Sequence, residues 1–205
     1  MNEILVLAEH NRGKIKDVTF EMLGIGRELA DSVGAKITVL ILTHDDNLAN
    51  KLSPYADTVL LNKDELFKDF NSELYQNILT KLISERKPVL TLIGHTPTGI
   101  DLAPNLAIST NLPLATDCVG LKFENSKLRI MRQMYTGKIN TNVTFTDAQE
   151  YIVMVRPASF QIPEQMDKSG EIIKLDIPVE KIDYKKFIDY IEPEITGVEI
   201  GRAHV

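Results

Sequence analysis

Three residues in one short turn, Thr96, Thr98 and Gly99, have the types that hold phosphates: two hydroxyls and an unhindered backbone N–H. They lie in the stretch Thr91-Leu92-Ile93-Gly94-His95-Thr96-Pro97-Thr98-Gly99-Ile100-Asp101-Leu102-Ala103-Pro104. The apolar run from Pro88 to Ile93 reads as a buried parallel strand. A segment with Leu102, Leu106 and Ala107 at helical spacing follows it. A strand, a small-residue turn and a helix N-terminus together make the place where open α/β sheets offer N–H groups to ligands. An adenylate or phosphate at Thr96–Gly99 is one reading, and a well-capped turn serving only the fold is the other. The turn lacks both the lysine of a Walker loop and the G-x-G-x-x-G of a dinucleotide fingerprint.

Other residues with chemical potential are scattered. His95 sits at a strand end, and His10 and His44 follow the first two strands on what should be the same sheet edge. No Cys, Asp or Glu stands near His95 at metal-ligand spacing, so a hydrogen-bonded turn histidine is the economical reading. Cys118, in Thr116-Asp117-Cys118-Val119-Gly120, reads as a small buried hydrophobe rather than a reactive thiol. Arg129, Arg132 and Arg156 fall on or near strands and suit a phosphate, a partner's carboxylate or a solvated sheet face. No Ser/His/Asp or Cys/His arrangement and no carboxylate dyad is visible, so no catalytic residue is assigned and no metal site is expected.

The elements that must position these residues alternate. Ile4–Ala8 reads as a strand, 9–16 as a polar loop, and Asp17–Val33 as a helix with Gly34 as its stop. Gly24 and Gly26 inside that helix suggest close packing on the sheet. Lys36–Leu42 is a second strand, Asp45–Leu52 a short helix capped by Asp45 or Asp46, and Asp57–Leu61 a third strand. Phe70–Arg86 is a second strong helix, before the Val89–Ile93 strand. The alternation predicts an α/β fold with a doubly wound parallel sheet. After Leu112 the pattern changes. Leu114–Phe123, Leu128–Met134, Lys138–Phe145 and Tyr151–Val155 follow one another across turns at 124–127, 135–137 and 147–150, which read as hairpin loops. They predict an antiparallel section added to one sheet edge. Residues 161–171 read as loop, Ile172–Ile177 as a last strand, and Asp183–Ile191 as either helix or edge strand.

Composition sets bounds on the whole. The chain has 205 residues, 43% of them hydrophobic and 25% charged, with a net charge of -6. That length suits one ordinary domain or a domain with an appendage. The acidic balance, with no Lys/Arg run, argues against nucleic acid as a main partner. The single cysteine excludes an internal disulfide and fits a reducing compartment. The start of the chain reads as a strand rather than a signal peptide, and no apolar stretch reaches membrane-spanning length. These readings converge on a soluble cytoplasmic α/β protein without membrane insertion.

Five segments in order resemble a known family: Ile4-Leu5-Val6-Leu7-Ala8-Glu9, the Gly94–Ala107 turn and helix, Thr116-Asp117-Cys118-Val119, Arg132-Gln133-Met134-Tyr135-Thr136-Gly137-Lys138, and Val153-Met154-Val155-Arg156-Pro157-Ala158-Ser159-Phe160. Together they are similar to the N-terminal domain of the electron-transfer flavoprotein alpha subunit, over roughly residues 3–192. Val155–Phe160 matches that family's Val-Arg-Pro-x-x-Phe mark, while Asn105 stands where an arginine is common. The resemblance implies a Rossmann-like fold related to adenine-nucleotide-binding (adenine nucleotide alpha hydrolase-like) domains. It also implies a heterodimer with a beta subunit, carrying electrons from acyl-CoA or other dehydrogenases. FAD in such an assembly is held mostly by a C-terminal flavin domain. Here 1–192 reads as the N-terminal-type domain and 193–205 as a linker toward a flavin domain absent from this chain. The expectations are then a scaffold domain with no cofactor of its own, a free-standing adenine-nucleotide module using Thr96, Thr98 and Gly99, or a structural subunit without ligand.

Overall fold

The computed structural model describes residues 3–125, 127–185, 187–189 and 191. The expected linker at 193–205 lies outside them. In chain order the elements begin with β1 (Glu3–Leu7), a two-residue hairpin β2 (His10–Asn11) and β3 (Lys14–Ile15), α1 (Asp17–Val33), β4 (Lys36–Thr43) and α2 (Asn47–Leu52). Next come β5 (Thr58–Lys63), α3 (Ser72–Arg86), β6 (Leu90–Gly94) and α4 (Pro97–Thr110). The second half holds β7 (Leu114–Glu124), β8 (Lys127–Met134), β9 (Ile139–Val143), β10 (Tyr151–Val155) and β11 (Glu171–Leu175). Among the described residues no helix is long and apolar enough to cross a membrane.

The main sheet has nine strands in the order β11-β5-β4-β1-β6-β10-β7-β8-β9. Every pairing from β11 to β7 is parallel, and β7–β8 and β8–β9 are antiparallel. Successive side chains of a strand point to opposite faces, and the core divides accordingly. Ile4 and Val6 of β1 pack with the α1 side chains Met22, Leu23, Ile25 and Leu29. Leu5 and Leu7 pack with Leu74, Ile78 and Leu82 of α3 and Leu102 and Leu106 of α4. Helices cover both faces, so the central strands are buried along nearly their whole length and mostly apolar, as parallel strands between two layers must be.

Local chemistry sets the helix ends. Gly34 adopts φ 63° and closes α1, donating its N–H to the Ala30 carbonyl. Asn71 caps α3 by accepting from Glu73 and Leu74 N–H. The short helix α2 starts at Asn47, and the Asp45 carboxylate accepts that residue's N–H. Gly26 permits close packing on the sheet: a Cβ there would lie 2.7 Å from Ile37 Cδ1. Gly24 serves a different contact, facing the Gln161 carbonyl and Pro163 rather than the sheet.

The second half departs from expectation in one respect. Tyr151–Val155 is not part of the antiparallel section, and the 147–150 turn joins no hairpin. β10 instead lies between β6 and β7, parallel to both. All five of its residues are buried, and burial on both faces places such a run in the middle of a sheet. The 124–127 and 135–137 turns do form hairpins. The first contains Asn125 at φ 50°, and the second holds Tyr135, Thr136 and Gly137 at φ 52°, 57° and 82°. β11 adds a parallel edge beside β5. The described residues of 183–191 are neither helix nor strand.

Candidate functional site

The C-terminal ends of β1, β6 and β10 lie side by side, with the Asp117–Cys118 stretch of β7 next to the end of β10, and together with the turns leaving those strands they form the rim where the sequence places its chemistry. At the end of β6, the His95 N–H donates to the Val155 carbonyl at 2.7 Å, which ties this turn to β10. Thr96 is the N-cap of α4, and its hydroxyl accepts the Gly99 N–H at 3.2 Å. Pro97 follows at the first helical position, where a missing N–H costs nothing. Gly99 is pressed against β6, since a Cβ there would come within 1.9 Å of the Gly94 carbonyl oxygen.

The decisive neighbour is Glu9. It is 6% exposed, and its carboxylate accepts from the Thr96 hydroxyl at 2.8 Å and from the Lys16 ammonium at 2.7 Å. Its backbone is fixed as well, because the Glu9 N–H donates to Thr19 Oγ1 at 2.9 Å. Gly94 leaves space for the carboxylate, with Glu9 Oε2 3.1 Å from where a Cβ would stand. The cavity beside the turn, lined by Leu7, Glu9, His10, Tyr75 and Thr98 among others, is about 10 Å³. That is room for about one water, whereas ligand pockets run to roughly 300–1,000 Å³. The Glu9 carboxylate engages the first hydroxyl of this turn from within the chain. Thr96, Thr98 and Gly99 thus share one corner: Thr96 and Gly99 are joined in the helix cap, and Thr98 lines the small cavity.

The histidines divide. His10 Nε2 donates to the Leu42 carbonyl at 2.7 Å, and burial holds its pKa below the ordinary 6.5. His95 Nε2 lies 4.0 Å from Asp117 Oδ1. Among the described residues no three His, Cys, Asp or Glu side chains converge in a way that would hold a metal ion.

A second cluster surrounds Asp117, which occupies the left-handed region at φ 59° inside an irregular stretch of β7. Non-glycine residues held there are strained and need strong local support. Arg156 supplies it, with Nε and Nη2 each 2.7 Å from a different oxygen of the Asp117 carboxylate. The third arm of Arg156 donates to Gln133 Oε1 at 2.5 Å. This charge-assisted fork holds the Asp117 carboxyl below the usual carboxylate range. Cys118 beside it is buried, and desolvation pushes its thiol up to about 12, so it is a neutral packing residue at ordinary pH. Arg129 pairs with Glu124 at 2.7 Å on the surface.

The turn after Arg156 rests on a third internal anion. Glu21, buried within α1, accepts backbone N–H bonds from Ala158, Ser159 and Phe160 at 3.0, 3.1 and 3.3 Å. The Val155–Phe160 motif is thereby explained. Arg156 clamps Asp117, Ala158 turns the chain at φ 61°, and three N–H groups close on Glu21. Sequence reasoning missed Glu9, Glu21 and Asp117 as site residues. Glu21 left a signal as a lone carboxylate inside the apolar stripe of α1, and Glu9 and Asp117 stood within two of the resemblance segments without an assigned role.

These features define a class: a doubly wound α/β domain whose sheet rim is braced by its own carboxylates. Comparison with known proteins narrows it. The model of the electron transfer flavoprotein domain family matches residues 4–180, and the chain belongs to that family. It is 33% identical over 214 residues to electron transfer flavoprotein subunit alpha of Clostridium acetobutylicum, covering 98% of this chain and 62% of that protein. The corresponding subunit of Megasphaera elsdenii is 32% identical over 208 residues, with the same two coverages. The lactate dehydrogenase (NAD(+),ferredoxin) subunit LctC of Acetobacterium woodii is 32% identical over 214 residues, 98% of this chain and 51% of that protein. The chain therefore spans less than two thirds of the length of these relatives.

Proposed function

We propose that this chain is the scaffold domain of an electron-transfer flavoprotein alpha component. It packs on a beta subunit in a cytoplasmic electron carrier fed by acyl-CoA or other dehydrogenases. The observation that carries this reading is Glu9. The strand–turn–helix geometry at the start of α4 is of the kind that holds nucleotides in open α/β sheets, and its Thr96 hydroxyl is already engaged by the buried Glu9 carboxylate beside a cavity of about 10 Å³. In the intact assembly FAD supplies one- or two-electron transfer, and the residues of this chain give the partner a rigid frame. Lys16, Thr96 and Glu9 lock the start of α4 against β1. Arg156, Asp117 and Gln133 lock β10, β7 and β8 to one another. These groups are engaged with one another, and none is assigned covalent chemistry.

An adenine-nucleotide module at Thr96, Thr98 and Gly99 is the second reading, favoured by the N-terminal turn of α4 facing the sheet rim. One experiment separates the two. The absorbance spectrum and the denatured-extract mass profile are recorded for the purified chain, alone and combined with a beta subunit and a flavin domain. A colourless, nucleotide-free chain that yields a yellow complex only in combination is the expected result. Stoichiometric AMP or ATP in the chain alone would move the assignment to the nucleotide module. Stoichiometric FAD in the chain alone would overturn both readings.

A further inference from the structure

Past β11 the chain turns back across α3, and its two ends are held in different ways. The root is pinned by Asn62, a buried residue of β5. Its side-chain amide donates to the Ile177 carbonyl at 3.2 Å and its carbonyl oxygen accepts the Ile177 N–H at 3.3 Å. These two bonds prolong the β5–β11 ladder beyond its last pair, Asn62 and Leu175. From there Ile177, Val179 and Ile182 lie half-buried against the core under α3 and α4. The far end is held by exposed charge. Lys185 Nζ donates to Oγ of Ser72, the first residue of α3, at 2.8 Å and lies 3.5 Å from Asp101 Oδ2 near the start of α4. Tyr184 beside it donates to the Glu73 carboxylate.

Between those ends the chain is loosely seated. Among the described residues no main-chain hydrogen bond ties 178–185 to α3. Hollows of about 160 and 550 Å³ lie between this stretch and α3 and meet at Leu74. Leu66, Phe70 and Ile182 line the larger one, with Lys181 and Lys185 at its edge. Well-packed interiors leave few voids larger than a water, so lifting this stretch gives up little contact. The catch is weak as well. A cation at the first residue of α3 meets the positive end of the helix dipole, which leaves Asp101 and the nearby Glu73 to offset it. An exposed ion pair contributes little and is screened by salt. The buried Asn62 amide, in contrast, would be left desolvated and unpaired if the root let go. The root therefore holds while the far end opens.

We propose that residues 178–185 form a hinged strap, rooted at Asn62 and Ile177 and closed over α3 by a salt-sensitive catch of Lys185 on Asp101 and Ser72. Closed, it shelters Leu66, Phe70 and Leu74; open, it uncovers them and frees Lys185 from the starts of α3 and α4. The test is trypsin cleavage of the 205-residue chain after Lys181, followed by mass spectrometry at low and high salt. Each rate is divided by that of a synthetic peptide of residues 176–185, which carries the same bond and absorbs trypsin's own response to salt. Wild type should be cut faster at high salt. D101N leaves the strap's sequence unchanged, and at low salt it should be cut more than twofold faster than wild type, with its salt dependence lost. K185Q, referred to a peptide with the same change, should behave alike. Lys174, on the rooted side, should stay uncut while Lys181 is lost. The Asp101 and Lys185 side chains are 53% and 45% exposed, so neither variant disturbs the core. Rates for both variants within twofold of wild type, or no cut at Lys181 in any of the three proteins, would overturn the proposal. Cleavage at Lys174 as fast as at Lys181 would overturn it too, because the whole sheet edge would then be opening.

Discussion

Three carboxylates hold the rim of this domain together, each from inside. Glu21 is the plainest case, because its partners are three successive main-chain N–H groups of one turn. Glu21→Gln keeps the shape but loses the charge and one acceptor oxygen. It should cost about 2–4 kcal/mol in urea unfolding, while E28Q on the exposed side of α1 should cost almost nothing. His10 gives a pH signature. Burial, the dominant influence, opposes its protonation, as does His44, while the Leu42 carbonyl, Glu9 and Asp45 favour it. Its folded pKa lies below the unfolded value of 6.5, so the unfolded chain takes up the proton first as pH falls. Its contribution to stability is full above pH 6.5 and declines as pH drops from there toward the folded value. The urea midpoint of wild type should fall between pH 7.5 and pH 5.5 by more than that of H10Q. Asp117 acts in a lower window: its pKa is depressed below 3.8, so its contribution is present above that value and is lost as pH falls through the folded one.

At the scale of elements, the contact between α4 and β6 depends on a missing side chain. Gly99→Ala would gain about 1 kcal/mol of helix propensity, yet its Cβ would stand 1.9 Å from the Gly94 carbonyl oxygen. The backbone must move, and a net loss of about 3 kcal/mol is expected in thermal or urea unfolding. The regular elements were legible in the sequence because their signals are local. The span Asp17–Val33, the Gly34 stop and the two hairpin turns follow from periodicity and turn chemistry alone. The position of β10 was not, because strand order is a long-range property. Its unbroken apolar run was the visible clue, and nearness in sequence to the hairpins drew it toward the wrong neighbours. The rim was half legible. Thr96, Thr98 and Gly99 were found by type and spacing. Glu9 lies 87 residues before the Thr96 hydroxyl it accepts from, and only the adjacency of β1 and β6 brings them together.

For the molecule as a whole, stability should be graded from the sheet's centre to its edges. β1, β4, β6 and β10 are enclosed by helices or neighbouring strands, whereas β9 and β11 are the edges. Hydrogen exchange should show the slowest amides in β1, β6 and β10, and faster exchange in β11 and in the hairpin beyond Arg132. Slow exchange throughout residues 133–140 in the isolated chain would contradict this gradient. The hairpin also has a topological duty. Adjacent parallel strands need a long crossover, most often helical, and here the crossover from β7 to β10 is made by β8, β9 and the turn that follows. The arm is therefore spliced into the sheet at both ends. Its tip, where Tyr135, Thr136 and Gly137 turn in the open, can be lengthened like a handle without disturbing the core. Its base cannot be trimmed, since a shorter route from β7 would no longer reach the slot beside β6.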